Sequence, residues 1–99
     1  MNLYSENQTE NIHKETFAYL TIEEQNHILS ITLNRPNKKN ALNPQLLNEL
    51  AFVFHYAYFN NLVRAILIKA NGDVFSSGLD LKAMNGVIEE NNSTIPEPN

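Results

Sequence analysis

The stretch 63-VRAILIKANGDVFSSGLDLKAM-84 decides the fold. It opens on a strand, because Val63, Ala65, Ile66, Leu67 and Ile68 form a nearly continuous apolar run rather than an alternating one. Such a run marks a strand buried on both faces, the habit of parallel sheets covered by helices. The chain then passes through Ser76, Ser77 and Gly78, which carry little bulk, into Leu79-Asp80-Leu81 and a short helix expected over about 79–89. A backbone stripped of side chains at this point lets another molecule come close to main-chain N–H groups.

Upstream, Asn43-Pro44 is a helix start. Asn caps free N–H groups, and proline at the first helical position forfeits no bond. Leu46, Leu47, Leu50, Val53, Phe54, Ala57 and Tyr58 recur at helical spacing and predict one apolar face running to about Asn60. Before it, 27-HILSITLN-34 alternates, with Leu29, Ile31 and Leu33 on one face and Ile28, Ser30 and Thr32 on the other, as in a strand. A further strand is expected over 17–22, and the polar break 23-EEQN-26 makes the two an antiparallel hairpin. Arg35-Pro36 ends the second strand, since proline cannot donate to the ladder, and 37-NKKNAL-42 is a basic loop. Strand, helix, strand is a βαβ unit with its crossover on 44–60, so the class is α/β.

Ligands of α/β sheets gather at the carboxyl ends of the strands. Here that end is 71-NGDVFSSGLD-80. A helix beginning near Leu79 aims unbonded N–H groups and the positive end of its dipole at whatever sits over the strand. Bare N–H groups among small residues are the construction of half an oxyanion hole. On spacing alone a plain turn is the commoner meaning of Ser-Ser-Gly. Neither the GxGxxG nor the GxxxxGK[ST] phosphate cradle occurs.

Composition narrows the choice. A chain of 99 residues holds one domain at most, and a net charge of -4 argues against nucleic acid as partner. The lack of cysteine excludes disulfides, thiolate catalysis and Cys-based zinc sites. His13, His27 and His55 are scattered without ligand spacing, so no metal is expected. No apolar run is long enough to span a bilayer, and the first sixteen residues lack the apolar core of a signal peptide. The expectation is a cytoplasmic protein without a membrane partner.

Three segments, 31-ITLNRPNKKNALN-43, 63-VRAILIKANGDVFSSG-78 and 78-GLDLKAM-84, together resemble the N-terminal half of the crotonase (enoyl-CoA hydratase/isomerase) family over roughly residues 17–86. The resemblance implies an α/β fold of the ClpP/crotonase ββα type, with only its N-terminal part present. Residues 1–15 are then a flexible polar lead-in, 16–88 the N-terminal part of the domain, and 89–99 a polar loop leading into the remainder. It implies an acyl-CoA substrate whose thioester carbonyl is polarised by two backbone N–H groups. The first belongs to the residue after the glycine of the family's F-[SA]-[SA]-G-x-D motif, here Leu79. Leucine in place of the commoner alanine leaves a backbone role intact. Ser77, Gly78, Asp80 and Leu81 would line the CoA ester, with the Ser77 carbonyl at the adenine. Ala41 would border the CoA head, and Lys38 and Lys39 would face its phosphates. No cofactor is implied beyond the CoA of the substrate, and the full-length protein would be a homo-oligomer, a trimer or hexamer.

The departures bear on activity. The family's second oxyanion N–H and its acid/base carboxylates come from a part of the fold with no counterpart here, so the 99-residue chain alone is expected not to hydrate a double bond. Glu89 and Glu90 lie in a polar stretch and read as solvated. Asp80 reads as a partner of the helix dipole, and Leu81 and Met84 as either acyl-pocket wall or core. Within the family the alternatives are hydrolysis, decarboxylation or dehalogenation of a CoA ester. Outside it, the alternative is a non-catalytic short paralogue that binds CoA esters.

Overall fold

The computed structural model describes residues 4–98. Strands β1 (Leu20–Gln25), β2 (Ile28–Leu33) and β3 (Ala65–Ala70) form one sheet in the order β1-β2-β3. The hairpin closes through Asn26 and His27, both left-handed at φ 54° and 67°, between the paired residues Gln25 and Ile28. Two successive residues at positive φ match the twist of an antiparallel pair, and Asn tolerates that conformation well. β1 therefore lies later than expected and includes Glu23 and Glu24, taken in the sequence as the break. Tight two-residue turns need few polar residues, so the carboxylates fall on the strand.

β2 and β3 run parallel, Ile28 opposite Ala65 through Leu33 opposite Ala70, and helix α2 (Pro44–Phe59) is the crossover between them. The Asn43 side chain accepts the Leu46 N–H at 2.7 Å and Pro44 occupies the first turn, as expected. Leu29, Ile31 and Leu33 turn inward and are buried. Each fully buried side chain of this size contributes roughly 1.5–3 kcal/mol.

The buried face of α2 is rotated from the expected stripe. Leu46, Glu49, Phe52, Val53 and Tyr56 are buried, whereas Leu47, Phe54 and Tyr58 are exposed. The cause is the cover that residues 4–17 lay over the helix. Helix α1 (Glu6–Thr9) begins with a capping box: the Ser5 hydroxyl accepts the Gln8 N–H at 3.3 Å and Gln8 Oε1 accepts the Ser5 N–H at 2.9 Å. Tyr4, Thr9 and Ile12 are buried. Tyr4 and Phe17 pack edge-on against Phe52 at 5.1 and 6.2 Å, and His13 against Tyr56 at 5.9 Å. These rings cover the flank of α2 that its spacing assigns to solvent. Glu49 turns in to accept the N–H groups of Ala18 and Tyr19, both at 2.8 Å.

β3 shows the largest difference. Its apolar run predicts burial on both faces, yet Ile66, Leu67 and Ile68 are 38%, 50% and 39% exposed. Ile66 and Ile68 share the face of Leu29 and Ile31 through the parallel register, but the cover supplied by α2 and residues 4–17 lies over the β1 side. Residues 89–98 form no regular element and still fold back. Thr94 donates its N–H to Thr16 O at 2.9 Å, Tyr4 donates its hydroxyl to Pro96 O at 2.7 Å, and Ile95 packs on the core. No helix among the described residues is long and apolar enough to cross a membrane.

Candidate functional site

Two loops at the carboxyl end of the sheet are sewn together. Ser77 donates its N–H to Lys39 O at 3.0 Å, and the Ser76 hydroxyl donates to Asn40 O at 2.9 Å. Leu42 donates its N–H to Gly78 O at 2.8 Å, and Asp80 returns a bond to Leu42 O at 2.9 Å. Leu42 and Leu79 thus face each other as a parallel bridge. In such a pairing one residue makes both bonds while its opposite number directs its own groups away. The Leu79 N–H accordingly has no acceptor among the described residues.

The origin of that free N–H differs from expectation. The helix here, α3 (Leu81–Met84), starts two residues later than Leu79, and its N-cap Asp80 accepts the Ala83 N–H at 3.1 Å. Leu79 is freed by bridge geometry, not by standing in a helical first turn. Gly78 at φ +93° makes the geometry possible, and a methyl group added there would meet no atom within 4 Å. The glycine serves conformation and leaves open space beside the backbone.

Leu79 lines a cleft of about 430 Å³ with Lys38, Ala41, Asp80, Leu81, Lys82, Ala83, Val87 and Glu89. The structure thereby brings together Lys38, Ala41, Leu79, Asp80 and Leu81 of the residues singled out in the sequence, with Ser77 and Gly78 in the adjoining backbone. Lys39 is left-handed at φ 53° and faces a separate hollow with Pro36, Asn40 and residues 71–74. Met84 is not on the cleft wall, whereas Lys82, absent from the sequence-based set, is.

Behind the cleft lies Arg35, a residue sequence reasoning treated only as a strand terminator. It is 2% exposed. Its guanidinium donates to Ala41 O at 3.0 Å, pairs with Asp80 Oδ2 at 2.9 Å and with Glu89, and stacks over the Tyr19 ring at 5.3 Å. Burial works against its charge, but Asp80 and Glu89 overcome that and raise its pKa. Asp80 is held below the usual carboxylate range by the Ala83 N–H and then by Arg35. Glu89 is lowered first by the Tyr19 hydroxyl, which donates to it at 2.7 Å, and then by Arg35, against its own desolvation. Glu89 is therefore an engaged anion rather than the solvated side chain expected. Asn40 supports the same loop from a buried, left-handed position, accepting the Arg35 N–H at 2.8 Å and donating to Asn71 O and Val74 O at 2.8 and 2.9 Å. The Arg-Pro break and the Asn-rich loop are visible signals. Asp80 and Glu89, which pair with Arg35, and Asn71 and Val74, which bond Asn40, lie 31 to 54 residues away and have no local signature.

The family model for enoyl-CoA hydratase/isomerase matches residues 23–98. The chain is 38% identical over 60 residues to the human mitochondrial Delta(3,5)-Delta(2,4)-dienoyl-CoA isomerase, covering 61% of this chain and 18% of that protein. Its fold matches an enoyl-CoA hydratase/isomerase from Pseudoalteromonas atlantica with TM-score 0.67 and 38% identity, over 78% of this chain and 31% of that one. An enoyl-CoA hydratase from Mycobacterium marinum gives TM-score 0.66 and 33% identity over 73% and 34%. The chain thus spans about a fifth to a third of the length of these relatives. With the crotonase-type α/β fold and the looped strand end both in place, the chain belongs to the enoyl-CoA hydratase/isomerase family.

Proposed function

We propose that the protein acts on an acyl-CoA thioester as a hydratase or isomerase, holding the enolate-like oxygen with the Leu79 N–H. The observation that carries this reading is that N–H, left without an acceptor in a residue that lines a cleft rich in apolar side chains. A fixed donor aimed where negative charge develops stabilises that charge without reorganisation. Lys38 and Lys82 at the cleft suit CoA phosphates, and Ala41, Leu81 and Val87 suit the apolar parts of the ligand. Lys39, Ser77, Gly78 and Asp80 complete the CoA-binding set through the paired loops. The substrate brings its own CoA and no other cofactor takes part. The reading extends to a homo-oligomer of the full-length protein, a trimer or hexamer, in the cytoplasm.

The 99-residue chain by itself binds but does not hydrate. Asp80 and Glu89 are the carboxylates of the cleft, both are committed to Arg35, and both are depressed in pKa, which makes them poor proton acceptors. The test is calorimetric titration with crotonyl-CoA beside an assay for loss of its enoyl absorbance. Binding without hydration is expected. No binding of crotonyl-CoA overturns the reading, and hydration by this chain alone makes Glu89 a working acid/base.

A further inference from the structure

The Arg35 guanidinium touches three residues of the cleft and none of its surface. Ala41 stands on the 39–42 side of the bridge, while Asp80 and Glu89 stand on the other side. The Leu79 N–H lies between these sides, one residue from Asp80 and opposite Leu42, itself one residue from Ala41. We infer that Arg35 is a positioning residue that fixes the direction of the Leu79 N–H by tying Ala41, Asp80 and Glu89 to one planar fork. This rests on the proposed thioester reading of the same cleft.

The chemistry favours arginine specifically. A guanidinium offers five donors in fixed directions, so one side chain can hold a carbonyl and two carboxylates at once. Lysine supplies the same charge as a single point on a flexible stem and cannot hold all three directions. Arg35 Nε has no acceptor among the described residues, and the ring of Tyr19 packs against the guanidinium, so the terminal nitrogens carry all its polar bonds. Asp80 is also tied at its other oxygen to Ala83 N, which makes it a rigid strut between Arg35 and α3. The link to Leu79 runs through two peptides. Arg35 holds Ala41 O, and the Leu42 N–H of that same peptide holds Gly78 O. The Gly78 carbonyl shares its peptide with the Leu79 N–H, while Asp80 anchors the far side of Leu79. Displacements of about an ångström in such positioning groups weaken catalysis by about a hundredfold.

The test separates positioning from mere folding. The ¹⁵N-labelled chain is titrated with crotonyl-CoA and, separately, with CoA, which has no thioester carbonyl to polarise. In the wild type the Leu79 amide shifts with crotonyl-CoA alone, and the thioester binds about fivefold more tightly than CoA, the ratio one net hydrogen bond carries. In Arg35→Lys the Leu79 response and the fivefold preference are lost while CoA affinity stays within about twofold, as expected where a point charge replaces the fork. Asp80→Asn keeps an oxygen for the Ala83 N–H and loses the charged strut. It loses the Leu79 response and the thioester-over-CoA preference, read as a ratio whatever its CoA affinity, and decides the matter if the Arg35 variant does not fold. Retention of the preference in either folded variant overturns the inference and leaves the thioester reading standing. Equal response of wild-type Leu79 to CoA and crotonyl-CoA overturns both.

Discussion

Leu42 and Leu79 face each other across a single parallel bridge, and both of its bonds run through Leu42. That asymmetry leaves the Leu79 peptide free on its outer side, and it depends on Gly78 holding φ at +93°.

Gly78→Ala and Gly72→Ala separate conformational strain from crowding. Both sit at strongly positive φ, but a methyl at Gly78 meets open space, whereas at Gly72 it comes to 3.0 Å from Pro36 Cβ. Gly78→Ala is expected to cost about 1–2 kcal/mol from backbone strain alone, and Gly72→Ala clearly more. Urea midpoints rank the two, and an equal or reversed order would contradict the assignment.

Glu49→Gln tests the anchor between α2 and the start of β1. Glu49 accepts the N–H groups of Ala18 and Tyr19 at its two oxygens, so an amide nitrogen there confronts a donor with a donor. A buried N–H left unsatisfied costs about 1–3 kcal/mol. Denaturant curves should show that loss with an unchanged slope, while Glu90→Gln, at an exposed position, leaves the midpoint where it is.

Acid sensitivity follows from Arg35 and its two carboxylates. Asp80 and Glu89 have folded pKa values below their unfolded ones. Their contribution is therefore present above the ordinary carboxylate pKa of about 4 and is lost as pH falls through the depressed values. Asp80→Asn should lower stability at pH 6, and the gap should narrow as pH falls through the depressed range and wild-type Asp80 takes up its proton. Urea midpoints across that range check the sign; a constant gap between the two proteins would show that the ion pair does not act through protonation.

Leu67→Lys tests the uncovered strand. β3 is an edge strand whose unpaired backbone and half-exposed Leu67 form a template for another chain. Wild type is expected to self-associate with rising concentration in sedimentation runs, and the lysine variant to stay dispersed with the same circular dichroism. Ile31→Lys, at a fully buried position on β2, should unfold the chain instead.

The sequence by itself determined the local elements and the site loop. Alternation in 27–34 set the faces of β2, Asn43-Pro44 set the start of α2, and Phe75-Ser76-Ser77-Gly78 marked the place where backbone is bared. These are legible because each is written in neighbouring residues through periodicity, capping or loss of side chain. The tertiary structure alone decided which flank of α2 is buried, because the covering rings of Tyr4 and Phe17 come from a polar-looking segment thirty residues or more away. It decided that Leu79 is freed by its bridge to Leu42 rather than by a helix start, and that Arg35 binds Asp80 and Glu89. It also left β3 exposed despite its apolar run. Hydrophobic pattern records how much burial a strand requires, whereas the burial itself depends on which other surfaces reach it.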